Sequence, residues 1–180
     1  LDLTAKLQQR KQETSAKDML GFANDVSYYG SALLHLEKHS ESLECFRLSN
    51  VIFQARYGPD HLALAENLHQ TGCVLEKRND NSGGEALESL TEALRIRKMH
   101  LLDCHPDLED TLLCLGKVHR RIGNTGDALR CFMEAVKARD TRLGKKHARM
   151  DDADALLQVA ELHQQSGHLR QALDSFEECL

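Results

Sequence analysis

The side chains best able to do chemistry in this 180-residue chain are its ten histidines and six cysteines. The cysteines, at 45, 73, 104, 114, 131 and 179, form no Cys-x-x-Cys pair, and no His-Glu-x-x-His run occurs, so neither zinc-ligand spacing is present. His35 and His39 are i, i+4 neighbours able to share a surface metal, but two ligands alone make a poor site. Cys104-His105-Pro106-Asp107 offers a thiol, a base and an acid in one stretch. Nucleophilic catalysis needs those groups to converge, whereas adjacent residues on a turn point apart. Pro106 followed by Asp107 reads instead as a helix start, where the missing N–H costs nothing and an acid suits the dipole. Gly83-Gly84 lies between two expected helices with no Lys-Ser/Thr after it, so it is no phosphate loop. The chain is read as a non-enzyme that needs no metal or other cofactor.

Most of these residues recur at intervals. Gly30, Gly72, Gly116 and Ala160 are spaced 42, 44 and 44 residues apart. Ser42-Leu43, Ala86-Leu87, Ala128-Leu129 and Ala172-Leu173 recur likewise, each followed by Phe46, Leu90, Phe132 or Phe176. The two series differ by a two-residue insertion within Asn79-Asp80-Asn81-Ser82-Gly83-Gly84. Within a unit the apolar residues follow helical spacing, as in Leu112, Leu115, Val118 and Ala128, Phe132, Ala135. Each unit is therefore two amphipathic helices, joined by turns such as Ile122-Gly123-Asn124-Thr125-Gly126 and Gln165-Ser166-Gly167-His168. Ser82 and Glu85 have the spacing of a capping box. Small residues at the Gly30 series fit a close helix crossing. A hairpin of this kind cannot bury its apolar face alone, and stacking hairpins into a solenoid gives a continuous core.

The same register explains the histidines. His61, His105 and His147 mark one linker position three times, which points to turn formation or helix capping. His119 and His163 share a position where a half-buried ring is expected, and Cys45 and Cys131 alternate with Ser89 and Ser175 as small packing residues.

Composition narrows the partners. Hydrophobic residues at 41%, charged residues at 28%, 11 Gly and only 2 Pro describe a folded, all-helical protein. A net charge of -5, three Tyr, five Phe and no Trp leave little to hold phosphates or stack bases, so no nucleic-acid partner is expected. No run approaches the ~20 apolar residues of a membrane span, and no membrane partner is expected. The cysteines are read as reduced thiols in a cytoplasmic protein. The missing initiator Met and the end at Glu178-Cys179-Leu180 suggest an excised fragment, with self-association through its truncated ends a further expectation.

Leu112-x2-Leu115-Gly116-x2-His119, followed by Ala128-x3-Phe132-x2-Ala135, resembles the tetratricopeptide repeat signature. The linkers Tyr57-Gly58-Pro59-Asp60-His61, Leu101 to Asp107 and Leu143-Gly144-Lys145-Lys146-His147 look like those of kinesin light chain-type long repeats. Glu92-Ala93-Leu94-Arg95-Ile96-Arg97-Lys98 is similar to a helix of the same family. Where that family carries an Asn-Asn pair, this chain has Ser27-Tyr28, His69-Gln70, Leu113-Cys114 and Leu157-Gln158, so its cargo specificity is not carried over. The resemblance implies an all-α, right-handed α-solenoid. Its expected parts are a second helix of a preceding repeat plus linker over 1–23, repeats over 24–64, 65–108 and 109–151, and a truncated fourth over 152–180. Leu1, Thr4 and Leu7 fall in register with Leu90, Ala93 and Ile96.

The resemblance further implies a protein–protein interaction module that binds a peptide of a partner on the concave face of the first helices. The residues placed there are Asn24, Ser27, Tyr28 and Ser31, then Glu66, His69, Gln70 and Cys73. The third unit supplies Asp110, Leu113, Cys114, Lys117 and Arg120, and the fourth Asp154, Leu157, Gln158 and Glu161. None is expected in the core, and Leu113 and Leu157 are apolar residues on a polar face. The acidic row Glu66, Asp110 and Asp154 favours basic groups on a ligand, and Lys117, Arg120 and Arg121 acidic ones. A kinesin light chain-like adaptor or scaffold is the leading version. The alternative is an architectural or regulatory repeat domain packed on a neighbouring domain of its own parent protein.

Overall fold

The computed structural model describes residues 3–13, 18–78, 82–143, 153–165 and 167, and every regular element among them is an α-helix. In chain order these are α1 (Leu3–Glu13), α2 (Met19–His35), α3 (His39–Tyr57), α4 (Leu62–Arg78), α5 (Gly83–His100), α6 (Pro106–Arg121), α7 (Thr125–Leu143) and α8 (Ala153–Gln165). The first helices of the repeats are α2, α4, α6 and α8. They begin at Met19, Leu62, Pro106 and Ala153, so repeat starts drawn at 24, 65 and 109 fall inside them. The apolar rhythm becomes visible only where burial begins, at Ala23, Leu64 and Leu108. Gly83 and Gly84 are not a loop but the opening residues of α5. His35 ends α2 and His39 opens α3, so the two do not share a helix face.

The chain divides into two compact units, Leu1–Ile96 and Arg97–Leu180. In the first, Ala23, Val26 and Leu33 of α2 pack with Cys45, Leu48, Ile52 and Phe53 of α3 and with Leu64 and Ala65 of α4. Leu7 of α1 and Ile96 of α5 belong to the same cluster, matching their shared register. Full burial of one such Leu or Phe side chain is worth about 1.5–3 kcal/mol. Two buried serines join the hairpin: Ser42 Oγ donates to the Gly30 carbonyl and Ser49 Oγ to that of Ala23, each at 2.7 Å. A Cβ on Gly72 would lie 2.4 Å from Leu90 Cγ, which is why α4 carries glycine where it crosses α5.

The turns repeat as well. Gly123 and Gly167 adopt left-handed φ angles of 85° and 77°, and Glu37, in the same register after α2, takes φ 59°. The linker histidines cap the helices that follow them. His61 Nδ1 accepts from the Ala63 N–H at 3.1 Å, with its ring stacked on Tyr57, and His105 Nδ1 accepts from the Asp107 N–H at 3.2 Å. His147 lies outside the described residues. His105→Ala is expected to cost about 1 kcal/mol of unfolding free energy, with His105→Asn recovering most of it, as denaturant melts would read. Ser82 Oγ donates to the Leu75 carbonyl at 3.2 Å, while the Glu85 carboxylate accepts from Arg47, so the expected back-reach of Glu85 to its own helix start gives way to a link with α3.

In the second unit, Leu108, Leu112, Leu115 and Val118 of α6 are buried along with Ala128, Phe132, Ala135 and Ala138 of α7 and Val159, Ala160 and Leu162 of α8. Charge is buried here too. Arg97 donates to the Asp107 carbonyl at 2.8 Å and to Thr111 Oγ1. Glu109 is held by Arg139 through Oε1 and by Arg142 through Oε2, the latter at 2.8 Å.

Candidate functional site

The candidate site is the exposed side of the first helices, taken unit by unit. Helix α2 offers Asn24 and Tyr28, both exposed, Tyr28 to 77%. Ser27 is half-buried and bonded to Asn67 Oδ1 on α4, an interhelix link. The Asn67 amide also donates to the Phe46 carbonyl at 3.3 Å, which ties α2, α3 and α4 together through one buried side chain. Ser31 is half-buried and turns its hydroxyl back to the Ser27 carbonyl at 3.3 Å.

On α4, Glu66 is exposed and accepts from the half-buried Gln70 at 2.9 Å. His69 departs from the expectation: it is buried, with its Nε2 3.5 Å from the sulfur of half-buried Cys73. Both sit one turn apart on the same stripe of the helix.

On α6, Asp110, Lys117 and Arg120 are exposed, while Leu113 and Cys114 are half-buried. Leu113 packs against Ala128, Phe132, Val159 and Leu162, so it fills space between helices and is not the exposed apolar contact it was expected to be. On α8, Leu157 is 40% exposed, Gln158 and Glu161 are half-buried, and the side chain of Asp154 lies outside the described residues. Arg120 and Glu161 approach to 3.5 Å, pairing the exposed sides of α6 and α8. The rings of His119 and His163 occupy equivalent positions, half-buried and buried respectively.

Electrostatic shifts occur at Asp110 on this surface and at two cysteines of the second helices α3 and α7. The Asp110 carboxyl is held above its ordinary value, first by partial desolvation and then by the charge of neighbouring Glu109. A raised folded-state value means Asp110 contributes stability that is full below the ordinary carboxylate range and lost as pH rises through the folded value. Asp110→Asn is therefore expected to raise the melting temperature at pH 7, with the gain vanishing toward pH 3. Burial pushes the Cys45 and Cys131 thiols up to about 11, in keeping with packing roles. Among the described residues no three His, Cys, Asp or Glu side chains gather as a metal site would require. No described helix is long and apolar enough to cross a membrane.

Sequence reasoning passed over Asn67, Arg97 and Glu109, the buried polar residues that hold these helices in place. Their signal was a polar residue at a position where helical spacing calls for an apolar one.

Tandem antiparallel helix pairs, each crossing at a small residue and repeating every 42 to 44 residues, define a helical-hairpin repeat protein of the all-α solenoid class. The tetratricopeptide repeat family model matches residues 24–99 and 107–180, and the chain belongs to that family. No curated protein matches the sequence. Among solved structures, BtubC (BKLC) from P. vanneervenii aligns with a TM-score of 0.83 at 12% identity, over 94% of this chain and 66% of that one. A Podosopora anserina protein of nearly identical kinesin light chain TPR-like repeats aligns with a TM-score of 0.77 at 15% identity, over 98% of this chain and 83% of that one. MamA aligns with a TM-score of 0.69 at 11% identity, over 98% of this chain and 84% of that one. At these identities the likeness is one of fold. Tetratricopeptide repeats are in general non-catalytic scaffolds for protein interaction, and that is the class of role this chain's repeats indicate.

Proposed function

We propose that the chain binds a peptide segment of a partner protein along its first helices, as an adaptor or scaffold of the kinesin light chain type acting in the cytoplasm. The observation that carries this reading is the mixture of side chains left exposed on the first helices. Asn24, Tyr28, Glu66, Lys117 and Leu157 stay exposed there, whereas Val26, Leu33, Leu64 and Leu112 of the same helices are buried. Within the first unit the pairing of Ser27 with Asn67 fixes α2 against α4, and within the second Arg120 and Glu161 pair across α6 and α8, which reduces the ordering needed on binding within each unit. Exposed tyrosine and leucine beside both charge signs suit a mixed-charge peptide with an apolar anchor.

The test is affinity capture with the immobilised chain, followed by mapping of each captured protein to a peptide. The comparison is a variant carrying Tyr28→Ala, Lys117→Glu and Leu157→Asp that retains its helical circular dichroism. Mapped peptides that bind the parent chain and are weakened about tenfold or more by the variant support the proposal. Equal binding by both, or no peptide at all, removes it.

A further inference from the structure

A second surface lies elsewhere, on the side of unit 1 formed by the second helices. A cavity of about 260 Å³ opens between α1 and α3 above the start of α2. Met19, Leu20, Val51, Ile52 and Ala55 make it apolar, and Lys11 and Arg56 stand at its rim. Val51 is 58% exposed. The volume falls below the ~300–1,000 Å³ of pockets that take whole small molecules and suits one or two apolar side chains.

A gap at this place recurs along the repeat, and what differs is the side chain at one position and the pairing of the charges around it. The residues in register with Val51 are Lys6, Arg95 and Lys137. Arg95 is neutralised by Asp60 and Glu92, and the equivalent cavity of the second unit, about 300 Å³, has Leu108, Leu112 and Ala138 in its wall together with Lys98, Glu134 and Lys137, with Lys98 and Glu134 paired at 2.5 Å. Of these helices, only α3 carries an exposed aliphatic residue at that position.

The rim is basic. Lys11, Arg56, His100 and Arg142 share one register position near the ends of α1, α3, α5 and α7. Arg142 is held by Glu109 of α6. The residue of α2 in register with Glu109 is Ala23, which has no carboxylate to offer Arg56. Among the described residues neither Lys11 nor Arg56 forms an ion pair. The first-helix series at this position reads Ala23, Ala65, Glu109 and Ala153, so α2 offers Arg56 no carboxylate, and a ligand that brings an apolar side chain and its own carboxylates complements both the exposed floor and the two cations.

We propose that this cleft between α1 and α3 docks a partner segment in which one or two aliphatic residues are flanked by Asp or Glu. The aliphatic side chains fill the floor over Val51 and Ile52, and the carboxylates pair with Lys11 and Arg56. The surface is separate from the first-helix face, and the chain can engage two segments at once.

The probe is a fluorescein-labelled peptide Glu-Asp-Leu-Ile-Asp-Glu, followed by anisotropy with the full chain at protein concentrations up to about 1 mM. Binding should weaken as salt rises. It should fall about tenfold or more with the paired change Lys11→Glu and Arg56→Glu, with Val51→Asp, and with the Gln-Asn-Leu-Ile-Asn-Gln peptide. Tyr28→Ala and Leu157→Asp, on the first-helix face, should leave it unchanged. The charge-reversed protein should in turn bind Lys-Lys-Leu-Ile-Lys-Lys, a rescue that a damaged fold would not give. No binding by the parent chain, equal binding of the neutral peptide, indifference to the cleft variants, or absence of the rescue would each overturn the proposal. A cleft covered by another chain segment or a second copy gives the first of these results and is counted against it.

Discussion

Replacing Glu109 with alanine is expected to lower the unfolding free energy by about 3–5 kcal/mol, the range for removing one partner of a buried ion pair. Its side chain is only 4% exposed, and two guanidinium groups from α7 converge on it, Arg139 at 13% exposure and Arg142 at 33%. Without the carboxylate, Arg139 is left in a low-dielectric site with its charge uncompensated, while Arg142 can turn to water. The loss is therefore carried mainly by Arg139. Against a usual domain stability of about 5–15 kcal/mol, this is a large share. The triple replacement of Glu109, Arg139 and Arg142 by Leu, Met and Met should recover most of it, because the penalty arises from a stranded charge and not from the pair's net attraction. Urea melts of the single and triple variants decide the matter. A single variant within about 1 kcal/mol of the parent would put the network in the class of surface pairs, such as Arg47 with Glu85, whose side chains are about half exposed.

Gly116→Ala should be the second severe substitution. A Cβ there would stand 2.6 Å from Cε1 and 2.7 Å from Cζ of Phe132, and that ring is completely buried. Alanine brings about 1 kcal/mol of helix propensity, but overpacking a closed core costs about 1–3 kcal/mol or more, and the ring has no free side to move toward. A net loss of about 2 kcal/mol is expected, partly recovered by adding Phe132→Leu. Gly30→Ala provides the contrast. Its Cβ would meet Cys45 Cβ at 3.1 Å and Phe46 at 3.3 Å, a crowding small enough for helix propensity to offset, so its melting temperature should stay near that of the parent. A Gly116→Ala variant as stable as Gly30→Ala would show that α6 and α7 separate more easily than their contact implies.

The repeat itself was legible because it is local. Helical spacing, a small residue at each crossing and the linker histidines all recur within a window of about one turn or one hairpin. The first-helix face was legible only in part. Asn24, Tyr28 and Lys117 are exposed as their spacing suggests, but Ser27, His69 and Leu113 are drawn inward by neighbours far along the chain. Ser27 meets Asn67 40 residues away, and Glu109 meets Arg142 33 residues away. Pairings of this kind depend on how one hairpin is rotated against the next, which residue type does not encode. Asp110 drew attention as an acidic face residue, while Glu109 beside it holds the buried charge. The contrast between Arg142 with Glu109 and Arg56 with Ala23 was present in the register all along. It acquired meaning only once one pair was seen to touch.

The two serine hydroxyls that reach from α3 to the carbonyls of Gly30 and Ala23 act as keys in a shaft. Ser42 and Ser49 lie two turns apart on one helix, so both bonds must be given up together for α3 to slide past α2. A slip of one turn, about 5.4 Å, would bury two donors without acceptors at about 1–3 kcal/mol each. The hairpin therefore resists shear along its axis and yields to a load by peeling from an end, which sets the direction in which force applied through a bound partner can open it.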